Sequence, residues 1–281
     1  MNKKTVSGII AILLFIIILP FLADGWFFDR TKMQPQPEIV LLGDSIFGEE
    51  REETSVPALL SGLTGKTVFC GALGGTTLSR INGEQRSYVA KDVLSMSGLT
   101  IAITQKDFGA QKSVYTKENG TDYFQDTIEG LSQVDFSKVK ILFLNHGLND
   151  YHAGVVMENP KDPYDVYTFA GALRTNLTGL KKAYPDLRII LVTPTYTWYN
   201  KPGAEEVFPG VTMDRGNGTL EDYAAKEIAV AEELGVEVLD VIHDFYTDED
   251  PGDCWKYTLD GIHPNALGRE MLAEAMADIL E

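Results

Sequence analysis

Five short apolar segments, spaced along the chain, constrain its fold more than any other feature. They lie at 39–42, 67–70, 139–145, 188–193 and 236–240. Between and after them the sequence shows helical patterns at 55–63, 167–184, 220–234 and 265–280. Strands that alternate with helices are typical of a parallel sheet with helices on both faces. The sequence therefore predicts an α/β fold built on a five-stranded parallel sheet.

The composition fits a folded domain that does not bind nucleic acid. Hydrophobic residues make up 44% of the 281 residues, which is enough for a sizeable core. The 24 basic and 41 acidic residues give a formal charge of −17, whereas nucleic-acid binding needs a basic surface. Cys70 and Cys254 lie far apart and show no metal-ligand spacing. The sequence does not tell whether they pair.

The N-terminus carries an apolar stretch that is long enough for a membrane span. Residues 6–23 contain no charge, follow Lys3 and Lys4, and precede Asp24. This charge order predicts a single-pass anchor with the remaining chain outside the cytoplasm. The alternative is a cleaved signal peptide, which would give a secreted protein, although Phe21 is bulky for a cleavage motif. We expect an anchor at 1–28, a linker at 29–37 and a domain at 38–281.

The first apolar segment runs directly into Gly43, Asp44 and Ser45. A serine just beyond the carboxyl end of a strand lies where open α/β sheets bind their ligands. Taken alone, these three residues fit a polar turn better than an active site.

Two further loops follow predicted strands and should reach the same edge of the sheet. One is the glycine-rich stretch 71–77, whose backbone N–H groups can face a ligand. It lacks the spacing of a dinucleotide-binding motif. The other is the stretch 146–150. The long segment 82–137 between them is expected to be an insertion, either a cap or lid or simple decoration.

A third loop, ahead of the last helix, contains Asp260 and His263. Pro264 suits the first position of that helix, which leaves both residues in the loop. A serine nucleophile needs a base to accept its proton and an acid to orient that base. This pair supplies both groups, although a capping aspartate and a surface histidine would look the same.

Together these pieces resemble the SGNH hydrolases, or GDSL-type esterases, over most of the domain. The first block is Gly43-Asp44-Ser45, the second contains Gly75, the third is Gly147-Leu148-Asn149-Asp150, and the fifth is Asp260-Gly261-Ile262-His263-Pro264. The resemblance implies a flavodoxin-like three-layer α/β/α sandwich with a five-stranded parallel sheet. Cys70 departs from the asparagine that is common in the family, and the 82–137 insertion exceeds its minimal fold.

The resemblance also implies a role for each matching residue. Ser45 would be the nucleophile, His263 the base and Asp260 its orienting acid. The oxyanion hole would combine the N–H groups of Ser45 and Gly75 with the side-chain amide of Asn149.

The remaining polar residues near these blocks receive supporting or alternative roles. Asp44 and Asp150 would stabilise the turns of the first and third blocks without contacting the substrate. His146, Asp150 and His152 form an alternative metal-ligand set, which would indicate a metal-dependent phosphoesterase. The reading that we favour needs no metal and no cofactor.

The expected function is an extracytoplasmic serine esterase that hydrolyses O-acyl esters, in particular acetyl esters, on a small molecule or a carbohydrate. The alternatives are a non-catalytic carbohydrate-binding module and an acyltransferase on the same fold. Aromatic residues in the irregular stretches would either stack on sugar rings or pack a lid; they are Tyr115, Tyr123, Phe124, Tyr196, Trp198 and Tyr199.

Overall fold

The computed structural model describes residues 36–81, 92–114, 123–200, 207–245 and 252–281. Within them, Gln36–Glu281 forms one compact unit. The expected anchor at 1–28 and most of the linker at 29–37 lie outside the described residues. None of the helices in the described ranges is long and apolar enough to cross a membrane.

Strands are numbered along the chain as β1 (Ile39–Gly43), β2 (Val68–Cys70), β3 (Ile141–Asn145), β4 (Arg188–Val192), β5 (Trp198–Asn200), β6 (Val207–Pro209) and β7 (Glu237–Leu239). Five of them form one sheet in the order β2-β1-β3-β4-β7, and every pair in it is parallel. This confirms the predicted five-stranded parallel sheet. The central strands β1 and β3 are almost wholly buried, which explains their continuous apolar sequences.

Helices are numbered in the same way as α1 (Ser45–Gly48), α2 (Val56–Thr64), α3 (Met96–Gln105), α4 (Gly109–Lys112), α5 (Tyr123–Gln133), α6 (Leu148–Ala153), α7 (Phe169–Ala183), α8 (Leu220–Leu234), α9 (Val241–Asp244), α10 (Gly252–Tyr257) and α11 (Ala266–Asp278). Helices α2 and α11 pack against each other, and α3, α7 and α8 form a second packed series. The two groups cover the two faces of the sheet.

The strand order explains why the helices divide in this way. The chain moves from β1 to β2 in one direction and from β2 past β1 to β3 in the other. Since crossovers between parallel strands are right-handed, reversing direction moves the connecting helix to the opposite face. The carboxyl ends of β1 and β3 therefore border the crevice where such sheets bind ligands.

The described part of the 82–137 segment differs from the expected insertion. Its helix α3 packs on α7, and Leu99, Ala102 and Ile103 are buried. The hydroxyl of Tyr184 also donates to the carbonyl of Ile103 at 2.8 Å. Helix α3 lies in the crossover from β2 to β3, so this part of the segment belongs to a helical layer of the fold.

The stretch from 195 to 218, expected to be irregular, contains the antiparallel pair β5 and β6. Tyr196 and Trp198 are buried here, and so is Phe124 in α5. Burial favours the packing role for these three aromatic residues over sugar stacking. Tyr115 lies outside the described residues.

The start of the last helix also differs from the prediction. Asn265 caps α11 and accepts a hydrogen bond from the Gly268 N–H at 3.1 Å, whereas Pro264 precedes the cap and forms a β-bridge with Thr258. A helix that began at Pro264 would have His263 as its cap, whereas asparagine is among the preferred capping residues, which explains the shift by two residues. Cys70 and Cys254 both carry free thiols.

Candidate active site

Ser45 is placed by the sharp turn between β1 and α1. Asp44 caps α1, since its Oδ1 accepts the N–H of Ile46 at 3.0 Å. Gly43 is required because a Cβ at this position would lie 2.7 Å from the carbonyl oxygen of Asn145 in β3. As the first residue of α1, Ser45 has no intrahelical acceptor for its own N–H.

The structure brings Ser45, His263 and Asp260 into one chain of hydrogen bonds. The Nε2 of His263 lies 2.9 Å from the Oγ of Ser45, across 218 residues of sequence. The Nδ1 of the same ring lies 2.7 Å from Asp260 Oδ2. This is the order of contacts that activates a serine and holds the base in one tautomer.

Asp260 also shapes the loop that carries the base. Its Oδ1 accepts the backbone N–H groups of Ile262 and His263 at 3.0 and 2.8 Å. Partial burial opposes ionisation, but these bonds and the imidazole together lower the pKa of Asp260 below its usual value. The carboxylate therefore stays ionised and can stabilise an imidazolium.

The antiparallel pair β5 and β6, which the sequence analysis did not predict, supports the loop that carries His263. The N–H of Trp198 in β5 donates to the carbonyl of Gly261 at 2.8 Å. Gly261 has φ +90°, and a Cβ there would lie 2.4 Å from the Trp198 carbonyl oxygen. Residue 261 must therefore be glycine for β5 to approach the His263 loop so closely.

Gly75 lies in the loop after β2, beside the turn that carries Ser45. The Leu73 N–H donates to the Gly43 carbonyl at 2.9 Å, and this bond joins the loop to the end of β1. Gly75 itself has φ +71°, a backbone conformation that side chains disfavour. The predicted oxyanion donors Ser45 and Gly75 thus belong to two loops that are bonded to each other.

Asn149, the third predicted oxyanion donor, lies in α6 between these two loops. Its Nδ2 donates to Asp44 Oδ2 at 3.2 Å and to the Thr76 carbonyl at 3.0 Å. Both amide hydrogens therefore have protein acceptors in this structure. When Asn149 donates to an oxyanion, it must therefore share one of these hydrogens or give up its bond to one of the two acceptors.

Asp44 and Asp150 are both completely buried beside these groups. The two oxygens of Asp150 accept the N–H groups of Leu78 and Ser79 at 2.7 and 2.9 Å, which fixes the loop beyond Gly75. Burial raises the pKa of Asp150 to about 6 and that of Asp44 to about 7. Asp44 therefore changes its charge near neutral pH.

The alternative metal-ligand residues do not converge. Burial lowers the pKa of His146 to about 3, and the ring lies against the backbone of Thr76. His152 contacts the hydroxyl of Tyr199 through Nε2, and Asp150 is engaged by backbone N–H groups. Among the described residues, no three His, Cys, Asp or Glu side chains come together as a metal site.

Two residues near the site, Glu49 and Arg51, escaped the sequence analysis, which named Tyr123 only as an aromatic that would stack on a sugar or pack a lid. Glu49 Oε2 lies 3.4 Å from His263 Nε2. The Arg51 guanidinium lies over the ring of Tyr123 at 4.2 Å, and the Tyr123 hydroxyl accepts the N–H of Gly74 at 2.8 Å. Of these two residues, only Glu49 could have been found from the sequence. It lies four residues after Ser45, and residues four apart in a helix lie on the same face.

The fold and this arrangement define a protein of the SGNH-hydrolase class. The chain belongs to the GDSL-like lipase/acylhydrolase family, whose family model matches residues 41–271.

Individual relatives were found by sequence and by structure. The isoamyl acetate-hydrolyzing esterase 1 homolog of Homo sapiens is 29% identical over 136 residues, which cover 48% of this chain and 53% of that protein. The match thus spans about half the length of this relative.

Est24, a carbohydrate acetylesterase from Sinorhizobium meliloti, superposes with a TM-score of 0.50 at 16% identity, covering 87% of this chain and 98% of the other. The acetyl xylan esterase AlAXEase gives 0.51 at 14% identity, covering 86% and 100%. At these identities the structures share the fold.

Proposed function

We propose that this protein is a serine ester hydrolase that works through an acyl-enzyme on Ser45. The observation that carries the proposal is the His263 imidazole, whose Nε2 lies 2.9 Å from Ser45 Oγ while its Nδ1 lies 2.7 Å from Asp260. A polar turn with an unrelated surface histidine would not require these two contacts together.

The contacts suit each step of ester hydrolysis. Ser45 Oγ attacks the ester carbonyl carbon as His263 Nε2 takes its proton, and the carbonyl oxygen gains a negative charge. The N–H groups of Ser45 and Gly75 and the amide of Asn149 then stabilise that oxyanion; one such donor contributes a factor of about 10²–10³ to the rate. The C–O bond breaks, and the alcohol leaves with the proton from His263. Water, deprotonated by His263, hydrolyses the acyl-enzyme in the same way.

We propose acetyl as the acyl group and a small alcohol or a carbohydrate as the leaving group. The names of the acetate-hydrolyzing relatives support the acetyl group. The apolar segment 6–23 supports a place outside the cytoplasm, at the membrane or secreted after cleavage.

Labelling with a fluorophosphonate probe tests the nucleophile. We expect the wild-type chain to be labelled and Ser45→Ala to remain unlabelled, with Ser113→Ala, an exposed serine remote in sequence, as the matched control. Absence of labelling in a folded wild-type protein would contradict the proposal and favour a non-catalytic binding module.

Hydrolysis of p-nitrophenyl acetate, butyrate and octanoate then tests the acyl group. We expect kcat/KM to be highest for acetate and to fall by at least a hundredfold in His263→Ala. A maximum at octanoate would contradict the acetyl assignment and leave the esterase mechanism intact.

A further inference from the structure

Glu49 carries a charge close to the reacting atoms and has no role in the steps above. It follows α1 directly, one helical turn after Ser45. Its Oε2 lies 3.4 Å from His263 Nε2, the same nitrogen that contacts Ser45 Oγ at 2.9 Å. The Glu49 side chain is 62% exposed, so it faces the solvent side of the site and not the core.

The chemistry of the proposed esterase assigns Glu49 to the leaving-group side. The departing alcohol takes its proton from Nε2, so its oxygen must come within about 3 Å of that nitrogen. Because Glu49 is 3.4 Å from the same nitrogen, the alcohol oxygen lies within about 6–7 Å of the carboxylate in any productive pose. Substituents two or three bonds from that oxygen therefore experience the charge on Glu49.

A second carboxylate lies close to Glu49, and the guanidinium two residues further along the chain is bound to backbone carbonyls. Asp260, on the other ring nitrogen, is a second carboxylate. The Arg51 guanidinium is directed to the carbonyls of Gly48 and Ala72, at 2.7 and 2.6 Å. Across the described residues, the ion pairs give Glu49 no lysine or arginine partner.

We propose that Glu49 is a specificity determinant for the leaving alcohol: it favours alcohols that carry a positive charge close to the ester oxygen and disfavours anionic ones. The inference rests on the proposed esterase function and names a property of its substrate. A unit charge about 6 Å away at an exposed site is partly screened, so we expect a preference of roughly three- to tenfold in kcat/KM.

Three acetate esters of similar size provide the test: acetylcholine, its neutral isostere 3,3-dimethylbutyl acetate, and the acetate of 3-hydroxypropane-1-sulfonate. In the wild-type protein we expect kcat/KM to decrease in that order, by roughly threefold or more at each step, and the differences to shrink in about 1 M salt. In Glu49→Gln the three values should converge, and in Glu49→Lys the order should reverse.

Glu53→Gln removes an identical charge from an exposed position four residues further on and should retain the wild-type order. A Glu49→Gln protein with the wild-type ratios would overturn the role of Glu49 and leave the esterase intact. A wild-type protein that hydrolyses p-nitrophenyl acetate but none of the three esters would overturn the specificity alone, whereas one that hydrolyses none of the four would overturn the esterase proposal as well.

Discussion

Asp44 shows how one buried carboxyl links the site to the stability of the fold. It caps α1 and accepts a bond from Asn149, yet burial raises its pKa to about 7. The unfolded chain has a carboxyl pKa near 3.9, so the folded state holds the proton more tightly. The resulting stability is fully present below the unfolded value and is lost as the pH rises through about 7.

We therefore predict that Asp44→Asn becomes more stable relative to the wild type as the pH rises from 4 to 8. The change in the free-energy difference should reach up to about 4 kcal/mol, since asparagine retains the capping oxygen but cannot ionise. Urea unfolding at several pH values measures it. Asp186→Asn, at an exposed position, should show no such trend, and a parallel pH dependence in wild type and Asp44→Asn would refute the assignment.

Individual site residues could be predicted where a short sequence motif contains them. Ser45 begins α1 directly after a strand, Asp260 and His263 lie in the loop before α11, and the structure brings the three together. Arg51 and Tyr123 could not be found in this way, because their relation to Gly74 depends on how separate elements approach each other. No local pattern encodes that approach.

Among the elements, the start of α5 and the segment after α1 together hold the loop of Gly75. Arg51 donates to the carbonyls of Gly48 and Ala72 and lies over the ring of Tyr123. The Tyr123 hydroxyl in turn accepts the N–H of Gly74 at 2.8 Å. These contacts set the distance between the Gly75 loop and the turn of Ser45, so Tyr123 is a positioning residue.

We predict that Tyr123→Phe lowers kcat about fivefold and changes KM by less than twofold. The substitution leaves the Gly74 N–H without its acceptor, and one hydrogen bond contributes about 1 kcal/mol. Steady-state kinetics with p-nitrophenyl acetate separates the two constants. Tyr164→Phe, on an exposed tyrosine, serves as the control, and a selective rise in KM would instead indicate that Tyr123 contacts substrate.

The predictability of the elements depended on their length and regularity. Helix α8 was predicted with its full bounds from its helical pattern, and in the structure Thr219 caps it and Gly235 ends it. The three-residue strands β5 and β6 went unrecognised, since they are too short for a clear alternating pattern. Yet β5 supports the His263 loop through Gly261, so a functional contact arises from the element with the weakest signal.

For the whole molecule, the strand order creates the site from distant parts of the chain. Ser45 follows β1 and Asn149 follows β3, and these strands are neighbours at the point where the topology reverses. His263 arrives from the last loop, 218 residues after the serine that it contacts. Alternating apolar segments predicted a parallel sheet, but the distances within the site follow from packing that no single segment determines.

The last prediction concerns the N-terminal apolar segment and the compact unit Gln36–Glu281. We predict that the full chain stays with the membrane after a carbonate wash, whereas a chain that begins at Gln36 remains in the supernatant and still reacts with the fluorophosphonate probe. The reason is that residues 6–23 carry no charge and follow two lysines, which favours a span with the domain outside.

A charge placed in the middle of the segment provides the matched control. Leu14→Asp should weaken membrane retention, because an aspartate at the centre of a span costs about 2.5–3.5 kcal/mol. Protease added outside intact cells should degrade the anchored domain. A released protein that starts near Asp24 would identify the segment as a cleaved signal peptide, and an uncleaved full chain in the soluble fraction would contradict both the anchor and the signal.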